Sequence, residues 1–150
     1  MKNRIKIECK RIVGGIAKGK LLFSDQPLNF LAMVNVKTGQ INDIHHKLNN
    51  QTLKNNILVF PNAIGSSVGA YTIFSLKNNN ASPNGIICTN SVDITTASGC
   101  AISNIPLVHI NKSNFEKLNN YSIEEGNNNN TKIIVDAENE FIFFNNDKSI

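Results

Sequence analysis

At 150 residues, with 41% hydrophobic and 17% charged side chains, the chain is long enough to bury one sizeable core, short for two, and well outside the disordered regime. Its formal charge of +4 is scattered singly, aromatics make up 7% and tryptophan is absent, so the clustered basic and aromatic footprint of a nucleic-acid binder is missing. No apolar stretch nears the roughly 18 residues that cross a bilayer, and Cys9, Cys88 and Cys100 are too widely spaced for a disulfide framework, so the expectation is one cytoplasmic domain over 1–150 with no nucleic-acid or membrane partner.

Ile5, Ile7 and Cys9 alternate with Lys6, Glu8 and Lys10, the period of a strand with one buried face. Gly14-Gly15 turns the chain, a second strand is predicted over Ala17 to Phe23, and Ser24 to Pro27 breaks it. Phe30 to Val36 and Gln40 to Ile44 flank Lys37-Thr38-Gly39, a connection of hairpin length. The first third therefore reads as mostly β. The middle differs: Ile57 to Phe60 is continuously apolar, as in a strand buried on both faces, while Ala70, Ile73, Phe74 and Leu76 recur at helical spacing within Val68 to Lys77. Pro83-Asn84-Gly85 ends that helix and Ile86 to Cys88 resumes as a strand. A crossover of this length favours parallel pairing.

Asp93 to Ser98 predicts one short helical turn closed by Gly99, with Cys100 to Ile102 extended before the break at Asn104-Ile105-Pro106. In the tail, the polar run Asn127 to Asn130 reads as a flexible loop. Lys132 to Val135 and Phe141 to Phe144 then read as a terminal hairpin over about 131–145. The fold class implied is mixed α/β, rich in strands.

One junction invites chemistry. In VFPNAIGSSVGAY, from Val59 to Tyr71, a buried strand stops, a glycine follows, and two serines precede a helix. Such a loop brings backbone N–H groups and the positive end of a helix dipole to one spot, where anions bind. Gly65 allows close approach of a ligand, and Ser66 or Ser67 can either cap the helix or face that ligand. The cysteines lack the close spacing of a metal site, and Cys88 reads as a small core hydrophobe. His45 and His46, adjacent on an extended segment, would point to opposite faces, and His109 stands alone. Structural or surface roles suit all three histidines.

From Val13 to about Val108 the runs GGIAKGKLL, PLNFLAMVNVKTGQI, HHKLNNQTL, ILVFPNAIGSSVGAY, ASPNGIICTN and GCAISNIPLV occur in an order and spacing that resemble the small, swivelling subunit of the aconitase X family, in its free-standing archaeal branch. The resemblance implies a β/β/α swivelling domain, as in the small domain of aconitase, that closes over a separate large catalytic subunit. That heterodimer would dehydrate 5-phosphomevalonate, a phosphorylated hydroxy acid, to trans-anhydromevalonate 5-phosphate in an archaeal mevalonate route. It also implies Ser66 as proton acceptor, Gly65 and Ser67 as substrate-binding residues, no metal or cofactor on this chain, and an iron–sulfur cluster on the large subunit. The chain departs from the family's usual pattern at Ala32 to Val36, Lys47, Asn50 and Asn55, and most tellingly at Ala63 and Ile64, where a glycine and a basic residue are usual. Dehydration of another hydroxy acid, or a noncatalytic interaction module that lost the site, are the alternative readings.

Overall fold

The computed structural model describes residues 4–124 and 132–145; the run Asn127 to Asn130 lies outside the described residues. Along the chain come strands β1 (Arg4–Glu8), β2 (Lys10–Val13) and β3 (Ile16–Phe23), a helical turn α1 (Phe30–Met33), β4 (Asn56–Phe60), helix α2 (Gly69–Asn78), β5 (Gly85–Cys88), helix α3 (Ile94–Ser103), β6 (Leu107–His109), helix α4 (Lys112–Glu124), β7 (Lys132–Asp136) and β8 (Phe141–Asn145). The strands form one sheet in the order β1-β8-β7-β3-β4-β5-β6-β2. β3, β4, β5 and β6 run parallel, whereas β1, β7 and β8 pair antiparallel at one end and β2 pairs antiparallel with β6 at the other.

Only Cys9 separates β1 from β2, although they are the two ends of that order. Laid flat, eight strands would put those ends about 34 Å apart at the usual strand spacing. The sheet must therefore curl until its ends nearly meet, giving two β layers. β4 is buried along almost its whole length and serves both sides by alternation: Leu58 and Phe60 face the helices with Ile73, Leu76 and Cys100, while Ile57 and Val59 face inward with Ile133, Val135, Ile142 and Phe144. Stacking α2 and α3 on one face completes a β/β/α arrangement, the expected fold class. Leu118 of α4 joins the inner core, and Phe115 packs its ring 5.3 Å from that of Phe23.

The predicted unit of strand, loop, helix and parallel strand is present as β4, α2 and β5, and the terminal hairpin as β7 and β8. Its Asp136 to Glu140 turn is held by Asn139, whose side-chain amide and backbone N–H donate to the Asp136 carboxylate and keep that acid below its ordinary range. Four expectations about these elements are corrected. Phe30 to Met33 is a helical turn, not a strand, because the Asn29 side chain accepts from Ala32 N–H at 3.1 Å and starts a helix locally. Of the predicted hairpin only isolated bridges survive, Val34 with Ile41 and Gln40 with Thr52. Phe74, placed with the apolar helical stripe, is exposed.

The fourth correction concerns Gly99. It does not stop a helix; it lies inside α3, which runs on to a left-handed cap at Asn104. Its role is contact. A Cβ at Gly99 would sit 3.0 Å from Ile73 Cβ and 3.3 Å from Ala70 Cα, so the missing side chain lets α3 lie directly on α2. Gly99→Ala should therefore destabilise the fold by about 1 kcal/mol in chemical denaturation, because overpacking against a backbone atom outweighs the helix propensity gained. A stabilised variant would mean that the two helices separate freely.

Candidate active-site loop

β4 ends at Phe60, and the chain crosses the top of the sheet as Pro61 to Val68 before α2 begins. Three neighbours hold this loop. On one side, Leu28 pairs with Ala63 as a parallel bridge, Leu28 N–H donates to Asn62 O at 3.3 Å, and Ile64 N–H donates to Leu28 O at 3.0 Å. On the other side stands Asp93, the N-cap of α3: one carboxylate oxygen accepts from Ala63 N–H at 2.9 Å and the other from Thr96 N–H at 2.9 Å. From above, Asn90 Nδ2 donates to Asn62 Oδ1 at 3.1 Å.

The loop then bends at Gly65, whose φ of +95° is a region that L side chains rarely adopt. Space forbids a side chain there too, since a Cβ would lie 2.7 Å from Asn29 Cγ. Gly65, Ser66 and Ser67 are all exposed at the mouth of α2, so the three residues singled out from the sequence stand together. Ser66 forms a turn ahead of α2: its Oγ accepts from Val68 N–H at 3.2 Å, and its carbonyl accepts from Gly69 N–H at 2.9 Å, while the helix's own N-cap position is Val68, without a side-chain capping bond. The Ser67 side chain makes no hydrogen bond among the described residues.

Before the helix, the consecutive backbone N–H groups of Gly65, Ser66 and Ser67 have no acceptor among the described residues. Successive unpaired amides at a helix start form a concavity that attracts negative charge. That bond leaves the Ser66 hydroxyl one further lone pair and its proton. The mouth contains an acceptor oxygen that N–H groups can stabilise as an anion, beside amides that can hold a second anionic group. No lysine or arginine belongs to the loop. At position 64 the side chain is Ile, 48% exposed, so the chain offers backbone dipoles there rather than a cation.

Apolar side chains surround the serines: Leu31 on α1, Ile64 in the loop, Val68 before α2 and Ile94 at the start of α3 are between 46% and 78% exposed. Close packing brings these elements together at Gly69, where a Cβ would lie 3.0 Å from Thr95 Cγ2 and 3.7 Å from Phe30 Cβ. An apolar collar around a polar centre is the form of a surface that another protein covers.

The cysteines do not fit an iron–sulfur cluster. Burial, and after it the Asp93 carboxylate, push the Cys100 thiol up to about 12, and the same causes raise Cys88. Burial followed by Glu140 pushes Cys9 up to about 12. Thiolates, the form that binds iron, are disfavoured at all three, and no cluster of three metal-ligating side chains occurs among the described residues. His46 is structural: it accepts from Leu48 N–H through Nδ1 and donates from Nε2 to Pro27 O, both at 3.0 Å. It lies in a turn, not on the extended segment expected, while His45 is exposed. Asn29 and Asp93 are the site residues that sequence reasoning passed over. Each is a helix-capping residue type directly before a helix start, which was the available signal.

A β/β/α domain with an exposed serine at a strand-to-helix junction has the architecture of an aconitase-type swivelling domain. The sequence profile of the aconitase X swivel domain matches residues 6–142, and the chain belongs to that family. It is 46% identical over 104 residues to the phosphomevalonate dehydratase small subunit of Methanococcoides burtonii, covering 69% of this chain and 75% of the relative. The protein of the same name from Methanosarcina acetivorans is 39% identical over 124 residues, covering 82% and 85%. Among solved structures, a chain of Thermococcus kodakaraensis aconitase X in its holo-form superposes with a TM-score of 0.78 at 33% identity, covering 93% of this chain and 98% of that one. No helix among the described residues is long and apolar enough to cross a membrane.

Proposed function

We propose that the chain is the small subunit of a heteromeric hydro-lyase that dehydrates (R)-5-phosphomevalonate to trans-anhydromevalonate 5-phosphate in the archaeal mevalonate route to isoprenoids. Relatives bearing the name of that dehydratase's small subunit support the substrate and the need for a large subunit. One observation carries the reading: the Ser66 oxygen is exposed at the α2 mouth, bonded to Val68 N–H and adjoining three unpaired amides.

The chemistry removes a proton from the carbon next to the substrate carboxylate and expels hydroxide from the neighbouring carbon. Ser66 accepts that proton as its alkoxide and becomes the neutral hydroxyl. An alkoxide is a poor resting state in water, and the Val68 N–H and the α2 dipole are the groups of this chain that stabilise it. The amides of Gly65 and Ser67 hold an anionic oxygen of the substrate as negative charge builds. With Ile64 in place of a base-bearing side chain, the cation beside that oxygen comes from the large subunit, to which the family resemblance assigns the iron–sulfur cluster. Co-purifying the chain with a matched large subunit and following dehydration tests the reading. Turnover that needs both subunits is the expected result; a stable complex inert toward 5-phosphomevalonate would return the choice to another hydroxy acid or to an interaction module.

The same reading makes the apolar collar the docking surface. Val68→Asp and Ile94→Asp should each weaken affinity for the large subunit about 10-fold or more in calorimetric titration, since burying an unpaired charge at an interface is costly. Ile16→Asp, on an equally exposed isoleucine at the far end of β3, should leave affinity unchanged. Equal effects at all three positions would place the interface elsewhere.

A further inference from the structure

At the N-terminal end of β4, away from Ser66, an open pocket of about 500 Å³ is lined by Lys18, Lys20 and Lys132 together with Asn55, Asn56 and Asn84. Lys18 and Lys20 lie two apart on β3 and so share a face, and Lys20 stands directly opposite Lys132 in the antiparallel pairing of β3 with β7. Residues so opposed hold their Cβ atoms about 5 Å apart, where like charges destabilise a sheet. No acidic side chain lines the pocket, and none of the three ammonium groups has an ion-pair partner among the described residues.

The floor is built rather than incidental. Gly19, between the two lysines, lets the Asn55 carbonyl approach so closely that a Cβ there would lie 2.6 Å from it, and Asn55 itself is left-handed with a φ of 65°. Asn84 Nδ2 donates to Lys18 O at 2.8 Å and to Asn55 O at 3.1 Å, tying β3 to the turns before β4 and β5. Three lysines are thus anchored on a fixed frame with their charges left unbalanced.

We infer that this pocket binds a small oxyanion of the diphosphate type. Three point-like ammonium donors suit a compact, multiply charged group, and a diphosphate carries enough charge to neutralise them. A nucleic acid would need the basic track to continue along the strands. It does not: on the same face the next positions are Ile16 and Ile134, followed by Asp136 opposite Ile16. The inference is independent of the dehydratase reading, because it uses no residue of the α2 mouth.

The test is titration of the full chain with pyrophosphate at low salt, followed by amide chemical shifts in nuclear magnetic resonance, with inorganic phosphate as the weaker arm. Saturable shifts at Gly19, Asn55 and Asn84 are expected, with affinity falling about 10-fold or more in the Lys20→Gln, Lys132→Gln double variant. Without ligand the double variant should melt at or above the temperature of the parent, because the opposed like charges are gone. Shifts that do not saturate, shifts centred on Gly65 to Ser67, unchanged affinity in the double variant, or tighter binding of duplex DNA at the same amides would each overturn the inference.

Discussion

Ser66→Ala should lower turnover of the reconstituted two-subunit enzyme by about 100-fold or more, the loss expected when the proposed proton acceptor is removed. It should also lower the thermal midpoint of the isolated chain, because the lost oxygen holds the turn that leads into α2, a contribution of at most about 1 kcal/mol. The two uses of this serine were alternatives in the sequence; in the structure one hydrogen bond, from Val68 N–H to Ser66 Oγ, would serve both the turn that leads into α2 and the proposed proton acceptor. Alanine therefore cannot separate them, but asparagine can. Asparagine caps helices as well as serine does, yet its amide oxygen is no base. Ser66→Asn should restore the midpoint while turnover stays low. Ser67→Ala, with no capping bond to lose, should leave the midpoint unchanged and act on substrate affinity. Full turnover by the Ser66→Ala complex would remove the proton acceptor and favour the interaction module.

The stretch from Ile57 to Cys88 was legible because every local signal agreed: an apolar run for the buried strand, helical spacing for α2, and a proline-glycine turn before β5. Gly99 misled because a glycine that ends a helix and a glycine that admits a second helix look identical in one dimension. Only the approach of Ile73 and Ala70, nearly thirty positions earlier, distinguishes them. The curling of the sheet was hidden for the same reason, as nothing in RIKIECKRIV says that Arg4 to Glu8 pair with β8 and Lys10 to Val13 with β6. At the site, Gly65, Ser66 and Ser67 were visible because they are contiguous. Asn29 and Asp93 were not, being some thirty residues to either side and joined to the loop only by hydrogen bonding and close contact. Ile64, Val68 and Ile94 look like ordinary helix-flanking apolar residues until their exposure shows that no element among the described residues covers them.

Asp93→Ala should be the most destabilising single change near the loop, costing on the order of 2–4 kcal/mol in chemical denaturation. The carboxylate accepts from Ala63 N–H, from Thr96 N–H and from the Thr96 hydroxyl, and both residues are buried, so truncation strands donors that water cannot easily reach. Asp93→Asn keeps one acceptor oxygen and should lose about half as much. The consequence for function follows from position. Asp93 is 30 residues from Ala63 in sequence but holds the loop at Ala63, so freeing it should loosen the frame that positions Ser66 for its proposed role. It acts as a positioning residue: kcat of the assembled enzyme should fall more than KM rises, and amide exchange from Asn62 to Val68 should quicken in the isolated Asp93→Asn chain under conditions where it remains folded. A purely structural cap for α3 would change the midpoint alone. Unchanged exchange at Ala63 with an unchanged kcat would confine Asp93 to that lesser part and leave the loop held by Leu28 and Asn29.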